Sequence, residues 1–165
     1  MSTEHDEILA MLANQRDSLL ITVRGLSDED ARKRTTVSEL TLGGLVKHVT
    51  ACQAFWTRVF VEADGVLPEG MINSDQYRMT EEETLAGLVA DYAAAFEATE
   101  RAVAGQADLG REVPLPVFPW GPQETQYWSV RRILLHLLRE TAHHCGHADI
   151  IRESLDGANT TAQWA

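Results

Sequence analysis

Cysteine is scarce in this chain, with only Cys52 and Cys145 among 165 residues. Two thiols are too few for a disulfide framework, so both are expected to stay reduced. Lysine is equally scarce: Lys33 and Lys47 are the two lysines among 14 basic residues, set against 25 acidic ones. The resulting net charge of −11 argues against nucleic acid as a partner, because phosphate contact needs a basic patch. No stretch approaches the roughly 18 consecutive apolar residues of a membrane span. The opening MSTEHDEILAML is acidic and already amphipathic, unlike a signal peptide. A cytoplasmic protein is expected.

What is present is enough to build one domain over residues 1–165: the chain is 44% hydrophobic, sufficient for a real core at this length. Residues 4–24 carry Ile8, Leu12, Leu19 and Val23 at helical steps and predict a first helix, stopped at Gly25. Ser27 and the acidic residues 28–30 predict a short helix, and residues 32–38 a connector. Residues 41–62, TLGGLVKHVTACQAFWTRVFVE, predict a second long helix, with Leu45, Cys52, Phe55 and Val59 on one face and His48 in the middle of it. Residues 67–79 read as a loop. Thr80 with Glu83 has the form of a capping box, predicting a helix from there to about Val103, with Leu85, Leu88, Val89, Tyr92 and Phe96 buried and Ala93 to Ala95 open to a close neighbour. Four of the five prolines then fall in residues 107–128, a stretch that reads as a loop long enough to cover a cleft. Ser129 caps the last helix, and residues 157–165 read as a frayed tail.

The last helix, residues 131–156, RRILLHLLRETAHHCGHADIIRESLD, is the informative one. At 100° per residue Ile133, Leu137, Ile151 and Leu155 fall within about 40° of one another. Glu140, His144 and His147 lie on the same stripe, where acid and imidazole groups are costly unless something compensates them. A metal ion is one such compensation. Glu140 and His144 are one turn apart and reach the same point, and His48 can meet them from the facing helix. Three N/O ligands leave a position open, as in catalytic zinc sites, and the same donors suit nickel, iron or manganese. The plain alternatives stand beside this. A core histidine can be satisfied by a backbone carbonyl, and a Glu-x3-His pair can be a surface pair. His147 reads either as an alternative ligand or as a group over the open position. His136 and His143 lie farther off the stripe, toward partial exposure or a supporting role. Core packing is the expectation for Cys52, Trp56 and Phe60, and Cys145 points away. The aromatic, Pro-rich stretch is either a hydrophobic plug or the roof of a substrate pocket.

The segments TLGGLVKHVTACQAFW and RRILLHLLRETAHHCGHADIIRE, in this order and spacing, together with GLSDEDARKR, resemble the DinB/YfiT-like superfamily. Within it they are most like an actinobacterial DinB-like branch related to mycothiol S-transferases and mycothiol-dependent maleylpyruvate isomerases. The resemblance runs from about Glu4 to Gly157. It implies an all-α fold, an antiparallel four-helix bundle with one long Pro-rich crossover loop, and a divalent metal, zinc or nickel, at one end. Many relatives use three histidines. Here Glu140 stands where they have His, so the resemblance implies His48, Glu140 and His144 as ligands, the His, Glu, His set of the isomerases. It further implies a transferase that joins a low-molecular-weight thiol, mycothiol first among them, to a small electrophile, with the metal-bound thiolate as nucleophile and His147 as the catalytic residue that orients or deprotonates the thiol. Dimerisation with a second copy is compatible with such bundles. Metal-dependent hydrolysis, thiol-dependent isomerisation and a non-catalytic metal-binding or stress-related module are the competing expectations.

Overall fold

A computed structural model describes residues 3–163. The chain is mostly helical: α1 (Glu4–Val23), α2 (Asp28–Arg32), α3 (Leu42–Glu62), a 3-10 turn at Ser74–Tyr77, α4 (Leu85–Ala104), α5 (Val130–Asp156) and α6 (Thr160–Gln163), with one small sheet of β1 (Glu112–Pro114) and β2 (Tyr127–Ser129). Each long helix begins at a hydroxyl that accepts a hydrogen bond from an otherwise unpaired backbone N–H of its first turn: Thr3, Thr41, Thr84 and Ser129. α5 stops at Gly157, which takes the left-handed conformation. Among the described residues no helix is long and apolar enough to cross a membrane.

Three expectations need correction. α4 starts at Leu85 with Thr84 as its cap, not at Thr80. The cause is remote: the Arg32 guanidinium donates to the carbonyls of Thr80 (2.9 Å) and Glu83 (2.6 Å), and Asp28 accepts from the Leu85 N–H (2.7 Å). Groups a longer helix would use internally are held by α2 and the residues beside it. The Pro-rich connection is not all loop. β1 and β2 pair antiparallel with Val113 opposite Trp128, and β2 runs straight into α5. Finally, the tail is not wholly frayed. The Thr160 N–H and hydroxyl both donate to Asp149 (2.7 Å each), tying α6 to α5. Residues 164–165 lie outside the described residues.

α1 packs chiefly on α5 and α3 on α4, and α3 also packs on α5. The buried apolar residues form two clusters. One gathers Phe55, Trp56, Val59 and Phe60 of α3 with Val130, Ile133, Leu134 and Leu137 of α5. The other gathers Leu42, Leu45, Val46 and Val49 of α3 with Ala148 and Ile151 of α5. Along both helices the fully buried apolar residues skip positions 50–54 of α3 and 138–147 of α5, where Cys52, Leu138 and Cys145 pack only partly buried. Glu140 and His144 fall among those positions, and His48 stands at their edge. Of Ala93 to Ala95 on α4, the first two are exposed, while Ala95 is half-buried and borders α3.

Candidate metal centre

α3 carries His48 into the interior, 9% exposed. α5 brings Glu140 and His144 to it, half-buried and one helical turn apart. Each of the three offers a ligand atom, and these atoms all lie within 4.8 Å of one another. The rings of His48 and His144 meet edge to face at 4.8 Å, and His144 Nε2 is 3.9 Å from one Glu140 oxygen. The other Glu140 oxygen accepts a hydrogen bond from Arg139 and lies 3.8 Å from His136 Nε2.

His48 Nδ1 is fully buried and has no hydrogen-bond partner, the one such side-chain atom among the described residues. Buried polar atoms are nearly always paired, and leaving one unpaired costs about 1–3 kcal/mol. A buried histidine with an unpaired nitrogen, grouped with a carboxylate and a second imidazole whose ligand atoms lie within 4.8 Å, fits a cation that the three residues would share. Protonation favours the same reading. Burial pushes the His144 pKa down to about 4, helped by repulsion from His48 and resisted by Glu140. Burial also lowers His48, with Gln76 and Glu140 pulling the other way. Both rings are therefore neutral at pH 7 with lone pairs available, the state a metal requires.

One neighbour of this site carried no signal in the helical periodicity. The Tyr77 ring stacks on His48 at 4.3 Å, 23° from parallel, and it does so because Gly43 and Gly44 open α3. A Cβ on Gly44 would overlap the Tyr77 carbonyl oxygen, and one on Gly43 would meet the Met79 side chain. The Gly-Gly pair in the first turn of an otherwise apolar helix was the available clue, since glycine there weakens the helix unless something must come close. His136, expected to be partly exposed or supporting, is half-buried and wedged edge-on against Trp56 (4.7 Å) and Trp128 (5.4 Å). It forms the bridge between Glu140 and the aromatic residues.

His147 sits beside the triad, its Nδ1 3.4 Å from His144 Nδ1, and the exposed His143 packs against it at 4.5 Å. Cys52 packs against the core, and burial with the nearby Glu140 charge pushes its thiol up to about 12. The Cys145 thiol donates to the Gln15 carbonyl at 3.3 Å, turned toward α1. Beyond His136, the Pro-rich stretch borders a partly open cavity of about 320 Å³ lined by Trp56, Leu115, Phe118 and Trp128 among others. A larger, more open hollow of about 520 Å³ lies on another face of α3, against α4. Ala54, Ala95, Ala98 and Ala102 supply much of its lining, with no member of the triad.

No curated protein matches the chain. A family model described as mycothiol-S-transferase matches residues 7–157, a span that contains His48, Glu140, His144 and the whole aromatic cavity. The chain belongs to the mycothiol S-transferase family.

Proposed function

We propose that this protein is a metal-dependent S-transferase that joins mycothiol to a small electrophile. The observation that carries the reading is the His48, Glu140, His144 set, whose ligand atoms lie within 4.8 Å of one another and include a histidine with a buried, unpaired nitrogen, in a chain of this family. In this reading the four long helices form an antiparallel bundle, residues 1–165 act as one domain, and the protein works in the cytoplasm, where its two free thiols persist.

His48, Glu140 and His144 would hold the divalent cation through two nitrogens and an oxygen, a donor set suited to zinc or nickel. Such a cation, with one position open, makes a thiol acidic enough to be a nucleophile at neutral pH. The protein's own groups do the rest. The two imidazoles stay neutral because they are buried, and Glu140 supplies the one formal negative charge of the set. Arg139 and His136 steady the Glu140 oxygen that faces away from His144. Tyr77 covers one face of His48 and limits how water reaches it. His147, next to His144, orients the thiol and takes its proton. The sulfur then forms a bond to the electrophilic carbon as the leaving group departs with its bonding pair.

Purified protein loaded with zinc or nickel, given mycothiol and monobromobimane, should form the conjugate well above the spontaneous rate. Chelation should abolish that excess and restored metal should return it. Absence of metal-dependent conjugation with mycothiol, bacillithiol and glutathione alike would refute the proposal. Metal-dependent hydrolysis, or isomerisation without net thiol consumption, would instead appear as turnover with no conjugate.

A further inference from the structure

We infer that the aromatic cavity under the Pro-rich connection receives a flat, uncharged, apolar tail of the substrate, whose electrophilic carbon lies at the far end, beside the triad. The inference rests on the transferase reading and specifies the class of electrophile.

The first support is that the cavity is open. A plug would be filled to the density of a protein interior. Here about 320 Å³ remains between Trp56, Leu115, Pro116, Phe118, Pro122 and Trp128, at the lower end of the range for small-ligand pockets. The walls are flat and rigid. Trp56 and Trp128 lie within 6° of parallel at 5.3 Å, Phe55 meets Phe118 at 6.0 Å, and the prolines fix the backbone around them. Among the lining residues only Glu124 and Gln126 carry a charged or amide side chain, and both are exposed, so a charged tail would lose its hydration without gaining a buried partner. Trp120, 71% exposed, stacks on Phe118 at 5.5 Å, leaving a large apolar ring in water beside the cavity.

The second support is alignment. His48, Cys52 and Trp56 follow one another on α3 at successive turns, and His144, Glu140 and His136 do so on α5. The two series meet at His48–His144 and again at Trp56–His136. From His48 to Trp56 is eight residues, about 12 Å of helix. A tail against Trp56 and Trp128 therefore leaves the reactive carbon a short chain away, at the triad. The hollow between α3 and α4 has no such connection.

The test uses full-length, metal-loaded protein with two reagents of one reactivity, iodoacetamide and N-(2-naphthylmethyl)iodoacetamide, and the unreactive N-(2-naphthylmethyl)acetamide. With either reagent the thiol sulfur bonds to the methylene carbon, iodide leaves with the C–I pair, and the thiol proton goes to buffer. Calorimetry should show saturable binding of the unreactive naphthyl compound. The mycothiol kcat/KM should be at least about tenfold higher for the naphthyl reagent than for iodoacetamide. Phe118→Ala removes one wall, and Gly121→Leu fills the cavity from a position where a Cβ meets only ordinary contacts. Either should weaken naphthyl binding about tenfold and bring the kcat/KM ratio toward one while leaving iodoacetamide conjugation unchanged. If Phe118→Ala fails to fold, Gly121→Leu decides. Equal kcat/KM for the two reagents, or naphthyl binding untouched by Gly121→Leu, overturns the inference and leaves the transferase standing. Naphthyl binding lost in Gly121→Leu, with no conjugation of either reagent, upholds the cavity and overturns the transferase.

Discussion

α3 presents polar side chains to the interior on two faces, and the two groups differ in one respect. Toward α4, Gln53, Thr57 and Thr99 are buried and closed on one another. The Gln53 amide donates to the Thr99 hydroxyl (2.9 Å), the Thr57 and Thr99 hydroxyls bond at 2.7 Å, and Thr99 donates to the Ala95 carbonyl (3.0 Å). Toward α5, His48 is buried to a similar degree but its Nδ1 bonds to nothing. A satisfied network specifies how two helices pack. An unsatisfied one leaves room for a group the chain does not itself supply. Burial of polar residues therefore does not identify a site, whereas an unmet hydrogen bond on a residue grouped with other potential ligands points to one.

The sharpest way to break this contrast is to replace His48. In His48→Leu we expect affinity for zinc or nickel, measured by competition with a chelator, to fall at least about 100-fold, more than the 10- to 100-fold typical of groups that merely support a ligand. In the chelated state the same variant should be as stable as the parent or more so, because a buried unpaired nitrogen has been replaced by an apolar group. A chelated variant that lost several kcal/mol would mean that His48 belongs with Gln53 and Thr99 as a packing residue.

The mirror experiment is Thr99→Val. It should cost about 1–3 kcal/mol in denaturant unfolding, since the Gln53 amide and Thr57 hydroxyl lose a partner inside the core. Metal affinity of the folded variant should stay within about twofold of the parent. A large drop in affinity would show that the α4 face controls the α5 face, and the distinction between the two would fail.

Much of the α5 face was legible in the sequence, and little of the α4 face was. His48, Glu140 and His144 stood out because ionisable residues broke an apolar stripe at i, i+4 spacing, a property of one helix at a time. Gln53 and Thr99 gave no such signal, because their meaning lies in each other, 46 positions apart. The start of α4 was misplaced for the same reason. Thr80 and Glu83 do make the local contact of a capping box, with the Thr80 N–H donating to Glu83 at 2.7 Å, yet Arg32 and Asp28 decide where the helix begins. Tyr77 was hidden in what read as a loop, and the β1–β2 pair in what read as a linker. Periodicity records what a helix does with its own faces, and side chains delivered by loops lie outside it.

The smallest effect is expected at the two cysteines, and it tests whether the triad works without help from a protein thiol. Burial comes first in pushing Cys52 and Cys145 up to about 12, with nearby Glu140 and Asp149 adding to it respectively. A raised thiol pKa favours the neutral form in the folded protein. At pH 8 each should then be about one part in ten thousand thiolate, against roughly a quarter for an ordinary thiol near 8.5. Iodoacetamide at pH 8 should leave both unmodified in the folded protein and alkylate both in urea, read by mass spectrometry. The linkage runs in the matching direction. Above about pH 9 the unfolded chain releases these protons while the folded chain keeps them, so this contribution to stability is full below that pH and erodes as pH rises toward 12. Cys52→Ala should accordingly leave metal affinity unchanged within about twofold and lower stability only through the lost packing. Rapid alkylation of Cys52 at pH 8 in folded protein, or a Cys52→Ala variant that no longer holds metal, would move that residue out of the core and into the site.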